Sequence, residues 1–194
     1  MVMKTADRIV SLVKKMKRNS ENMRSWKNVA LAKEAFGLLQ ALDDPEENAI
    51  GKALACDAIV EQLSEYDVPR FCLEILRWEL GQLEESAEKY DRLTPDEVRA
   101  HIAKLEEWIA PEKVSDSVFK ERYSRWLAWD PIERDPVWEE LYLEVEEEVD
   151  REMGDAPRGM GFCFGYWSEK RAALARRGID WKDPHQMNPR VMFD

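Results

Sequence analysis

Apolar side chains recur along this chain at helical intervals. Trp26, Val29, Ala32, Phe36 and Leu39 are spaced by threes and fours, and Ile50, Leu54, Ala58 and Ile59 continue the pattern on the next segment. Side chains so spaced share one face of a helix and leave the opposite face to polar residues. Val98, Ile102, Leu105 and Ile109 form a third stripe, which stops before Pro111. The same reading predicts helices near 5–18, 26–42, 46–64, 70–90, 95–109, 116–128, 136–152 and 166–177. No stretch alternates with period two between turn residues, so no sheet is expected.

The separators agree with these boundaries. DDPEE at 43–47 offers an Asp cap, a proline for the first helical position and acids where the helix dipole favours negative charge. TPDE at 94–97 has the form of a capping box, in which Thr94 caps the following amides and Glu97 reaches back. ALAKEAFGLLQALDDP is similar to one helix of a tetratricopeptide unit, but its register differs and no repeat period follows, so it reads as an ordinary hairpin. The expected fold is all-α, a multi-helix bundle or stack of helical hairpins with about eight helices and an irregular aromatic C-terminal tail packed on the body. Residues 1–157 read as a helical domain with a basic first helix and an acidic body. Residues 158–194 read as a Gly/aromatic turn, a short basic helix and a packed tail of that same domain.

Charge adds what the pattern alone hides. The net charge of −11 is segregated: residues 1–33 hold nine Lys/Arg against two Asp/Glu, residues 34–157 hold 13 against 34, and residues 158–194 hold seven against four. Basic terminal segments that fold onto an acidic body, in the same chain or a second copy, account for this. Lys14, Lys15, Lys17 and Arg18 also raise nucleic-acid binding as an alternative. The apolar runs are too short to span a membrane, and Asp7 interrupts any secretory core, so a cytoplasmic protein without a membrane partner is expected. Cys56, Cys72 and Cys163 are odd in number and lack disulfide or Cys-x-x-Cys spacing, which suits reduced thiols.

RGMGFCFGYW at 158–167 concentrates glycines, aromatics and a cysteine. Cys163 stands just before the predicted last helix, where the positive end of the dipole favours an anionic sulfur, and His185 with Asp183 or Asn188 has the residue types of a base and its orienting group. Cys163 and His185 are therefore the catalytic candidates of a small hydrolase-type enzyme. Two such ligands fall short of a closed zinc site. Glu144, Glu147, Glu148 and Asp150 have no matching acidic partner motif and read as a solvated helix face. No metal or cofactor is expected. The alternative assigns Phe162, Phe164, Tyr166 and Trp167 to anchoring the last helix, with Cys163 as a buried filler. Trp26, Trp78, Trp108, Trp126, Trp129 and Trp138 lie on or beside the stripes and are expected mostly in the core, with Trp129 and Trp181, each beside an Asp in a turn, partly exposed. Arg171 and Arg176 are expected to pair with the acidic helix or to hold a carboxylate or phosphate. These readings favour a protein that associates with itself or another protein through Tyr166, Trp167, Arg171 and Trp181.

Overall fold

In a computed structural model, residues 4–42, 49–86 and 93–193 are described. Among them the chain forms nine α-helices and no strand: α1 (Thr5–Glu21), α2 (Asn28–Gln40), α3 (Ala49–Val60), α4 (Pro69–Glu85), α5 (Pro95–Trp108), α6 (Asp116–Arg122), α7 (Pro136–Met153), α8 (Phe162–Ala175) and α9 (Pro184–Met187). The fold is all-α, as the periodicity predicts. No helix of the described residues is long and apolar enough to cross a membrane. The expected cap at 43–47 lies outside the described residues. The chain divides into two compact units, Met1–Glu106 and Glu107–Asp194, so residues 158–194 share a unit with 107–157. That division lies inside the acidic block, and charge does not mark it.

In the first unit α1 packs on α2, α2 on α3 and α3 on α4. Met16, Ala32, Phe36, Leu39, Ala53, Cys56, Ile59, Cys72 and Ile75 fill the interior. Asn28 is the polar tie among them: buried at the start of α2, it donates from Nδ2 to the carbonyls of Met16 and Gln62, joining three segments. The box at the start of α5 is formed, with the Thr94 amide donating to Glu97 Oε2 at 2.9 Å and the Glu97 amide to Thr94 Oγ1 at 3.3 Å. Glu65 accepts from Lys104 Nζ at 2.6 Å and lies 2.7 Å from His101 Nε2. Burial pushes the Glu65 carboxyl up, but these two hydrogen bonds outweigh it and hold the group down at about 2. Glu79 on α4 is the opposite case. It is fully enclosed and neither oxygen has a hydrogen-bond partner among the described residues. Burial, reinforced by the nearby Asp57 charge, raises its carboxyl to about 8.

In the second unit an arginine occupies the centre of an aromatic cluster. Arg134 donates from Nε to the Trp108 carbonyl (2.8 Å), from Nη2 to the Glu107 and Val114 carbonyls (2.7 and 2.8 Å) and from Nη1 to Asp116. Its guanidinium lies 5.5 Å from both the Trp108 and Phe119 rings. A buried arginine survives because its guanidinium meets π density and its N–H groups meet oxygen. This cluster corrects the expected helix over 116–128. α6 stops at Arg122, Ser124 takes a left-handed φ of 50°, and the chain then turns to bring Trp129 against Trp108 and Phe119. Two tryptophan expectations fall with it. Trp126 is 68% exposed because the helix that would have turned it inward ends early, whereas Trp129 is only 6% exposed. Trp181 is also buried, at 5%, because its indole inserts beside Trp138 at a centroid distance of 5.6 Å.

Candidate functional site

α7 and α8 form a hairpin whose inner faces are apolar except at one level. Trp138, Tyr142, Val145 and Val149 line α7, and Ala173 and Leu174 line α8. At that level Lys170 of α8 and Glu146 of α7 are buried together at 2.7 Å, and Tyr166 Oη donates to the same Glu146 Oε1 at 2.5 Å. The ammonium lies 4.7 Å from the Trp138 ring centre and 5.6 Å from those of Tyr142, Tyr166 and Trp181. The arrangement is an aromatic cage around an internal cation, closed by one carboxylate. Its chemistry is cohesive: the pair locks α7 to α8, and each ring shields the charge from water.

α8 begins four residues before the expected position. Gly161, at φ 79°, supplies the left-handed turn that starts it, so Cys163 lies within the first helical turn instead of ahead of it. Gly165 lies beside Met153 of α7, where an added Cβ would make an ordinary van der Waals contact with Met153 Cε at 3.4 Å. Starting early places Phe162 and Tyr166 one turn apart in a stacked pair, with centroids 6.2 Å apart, and Phe164 edge-on to Trp167 at 5.7 Å. Gly178 at φ 78° follows the helix as its sequence pattern predicts.

The tail returns to this hairpin and to the segment before α7. Trp181 Nε1 donates to Glu133 (3.0 Å), the Lys182 amide to Asp130 (2.8 Å), and Asn188 exchanges two 2.8 Å bonds with the Ala128 backbone. Asp183 caps α9 in a capping box with Gln186 and pairs with Arg171 Nε at 3.3 Å. Outside, Arg176 pairs with Glu148, and Arg177 bridges Glu144 and Glu148 at 2.7 Å each. Hydrogen bonds from Arg176 and Arg177 hold the Glu148 carboxyl below its ordinary range.

No protein-family model, curated protein or solved structure matches this chain. The predicted residues are therefore placed by their contacts alone. Tyr166 and Trp181 face inward to the Lys170 cage, and Arg171 reaches the tail at Asp183 instead of the acidic helix. Trp167 sits in an outer ring cluster, 5.1 Å from Phe193 and edge-on to Phe164. Cys163 is half-buried, and His185 is exposed with its ring against Phe164 and Phe193 at 5.7 and 6.4 Å. The groups named to orient that histidine have other work, Asp183 in its cap and Asn188 on the Ala128 backbone. Among the described residues no cluster of three or more His, Cys, Asp or Glu is placed to hold a metal. Sequence reasoning missed Lys170, Glu146 and Arg134. The signal for the pair was present: each is the charged position on an otherwise apolar stripe, Tyr142-Val145-Glu146-Val149 and Tyr166-Lys170-Ala173-Leu174.

Proposed function

We propose that this protein acts in the cytosol by association, a second copy of itself being the first partner to test, through the outer ring cluster of α8 and the tail. The observation that supports this is the exposure of that cluster. Phe164 is 44% exposed, His185 faces solvent beside it, and Met192 next to Phe193 is 95% exposed. Aromatic rings held rigid by neighbours and presented with one edge to water are the usual anchors of protein interfaces. The buried thiols of Cys56 and Cys72 suit a reducing compartment. Light scattering at low and high salt tests the reading, with F164S/M192S as the surface variant. Wild type self-associates and the variant shifts toward monomer. A wild-type protein that is strictly monomeric at both salts overturns self-association.

A second reading is supported by α1. Lys14, Lys15, Lys17 and Arg18 are exposed and have no acidic side-chain partner among the described residues. Binding of duplex DNA or single-stranded RNA through them predicts affinity that falls steeply with salt, and that drops when all four are changed to glutamine. Anisotropy of labelled oligonucleotides reads this directly, and salt-independent or variant-independent affinity removes it.

A further inference from the structure

α1 and α7 each turn to solvent a face of mixed apolar and charged character, and the two faces match in chemistry. On α1, Val10 is 51% exposed, and at ~100° per residue Lys14 and Lys17 fall within about 40° of it around the helix. On α7, Leu143 is 37% exposed, and Glu140 and Glu147 fall within about 60° of it. All four charged residues are exposed, and none is in an ion pair with another described residue. Each face thus sets one aliphatic side chain beside two like charges over two helical turns, with the sign reversed from one helix to the other. The flanking charges are reversed as well: exposed Asp7 and Glu21 border the lysines of α1, and exposed Arg151 follows the glutamates of α7. The faces are therefore complementary in the order of charges along the helix as well as in total charge.

We propose that these faces are the two halves of one contact between copies of this chain, the α1 face of one copy seated on the α7 face of another. Val10 and Leu143 supply the apolar anchors, and lysine–glutamate pairs form the rim. A nucleic acid fits the α1 face less well, because Val10 finds no partner along a phosphate backbone and Asp7 and Glu21 repel it. Two helical turns offer much less than a standard interface of ~1,600 Å², so the contact is weak and salt-sensitive. It uses neither the outer ring cluster nor the tail and does not rest on them.

Sedimentation velocity at high protein concentration, in low and in high salt, tests the contact with two charge-reversed variants, K14E/K17E and E140K/E147K. Each variant alone opposes like charges across the contact, and its self-association weakens by about tenfold, as expected when two exposed pairs turn from attractive to repulsive. An equimolar mixture restores association, because the acidic α1 of the first variant meets the basic α7 of the second. Wild type and the mixture both lose it in high salt. A mixture no more associated than its components, variants that associate as wild type does, a wild-type association indifferent to salt, or a strictly monomeric wild type each overturns the proposal. Repeating the mixing experiment in the F164S/M192S background separates this contact from the outer ring cluster: rescue that persists there belongs to α1 and α7, and rescue that vanishes overturns the assignment.

Discussion

Replacing Glu79 by glutamine removes an enclosed carboxyl of the first unit that no hydrogen bond among the described residues compensates, and the effect depends on pH in a defined direction. In the unfolded chain the group ionises near 4.5; in the fold its pKa is about 8. Below the lower value both states carry the proton and the group costs nothing through ionisation. Between the two values the unfolded state releases its proton and the folded state keeps it, so stability falls as pH rises. Above about 8 both are ionised and the loss is complete. At ~1.4 kcal/mol per pH unit, the 4.5-to-8 window amounts to about 5 kcal/mol. Urea unfolding from about pH 5 to about pH 9 measures it across that window. The amide of E79Q is also buried without partners, so the variant carries a constant penalty, but its curve lacks this slope. The neighbouring Asp57, raised chiefly by burial, is present in both proteins and largely cancels from the difference. Stability curves for wild type and E79Q that run parallel across the window would refute the reasoning.

K170M leaves Glu146 an enclosed anion with Tyr166 but without its cation, and unfolding by urea should detect a loss of about 3–5 kcal/mol; K170M/E146L should recover most of it, and a double variant as weak as the single contradicts the cage as described. R134M strands the carbonyls of Glu107, Trp108 and Val114, each costing about 1–3 kcal/mol, so near-UV dichroism of the tryptophan cluster should be lost well before that of wild type on heating. Deleting residues 187–194 removes both Asn188–Ala128 bonds and the Phe193 ring, with an expected fall in Tm of about 5 °C or more; an unchanged melting curve refutes a packed tail. T94A removes the cap of α5 and costs about 1 kcal/mol in the same unfolding assay, while T94S retains most of it.

What the sequence made legible follows from which interactions are local. The α2 stripe Val29, Ala32, Phe36 and Leu39, the Thr94 box and the Gly178 stop are each set within a few residues, and they form as read, whereas the buried face of α3 runs through Ile50, Ala53, Cys56 and Ile59 and leaves Leu54 and Ala58 half-buried. The early start of α8 at Gly161 is a local miss, and the other failures are tertiary. α6 ends at Arg122, although its pattern continues, because Arg134 recruits the Glu107, Trp108 and Val114 carbonyls and Trp129 must turn into the same cluster. Trp181 carries the turn signature of an exposed residue, and only the groove beside Trp138 makes it interior. The Lys170–Glu146 pair lies 24 residues apart, and either residue alone reads as an ordinary surface charge. A cleft of about 210 Å³ in the second unit draws its walls from segments more than 50 residues apart, between Lys120 of α6 and Met187 of α9, and no local pattern announces it.

The clamp that returns the tail to residues 128–133 also sets an order of events in time. The bonds that close the α7–α8 hairpin span 20 to 33 residues, whereas those of the clamp span 48, 52 and 60. Shorter loops close at lower entropic cost and sooner, so the hairpin assembles first and the tail seats afterwards. Interactions formed after the folding barrier govern how quickly the native state is left and hardly affect how quickly it is reached. The Asn188–Ala128 exchange therefore acts as a latch on lifetime: N188A should steepen the loss of native protein in unfolding kinetics and leave the refolding rate nearly unchanged.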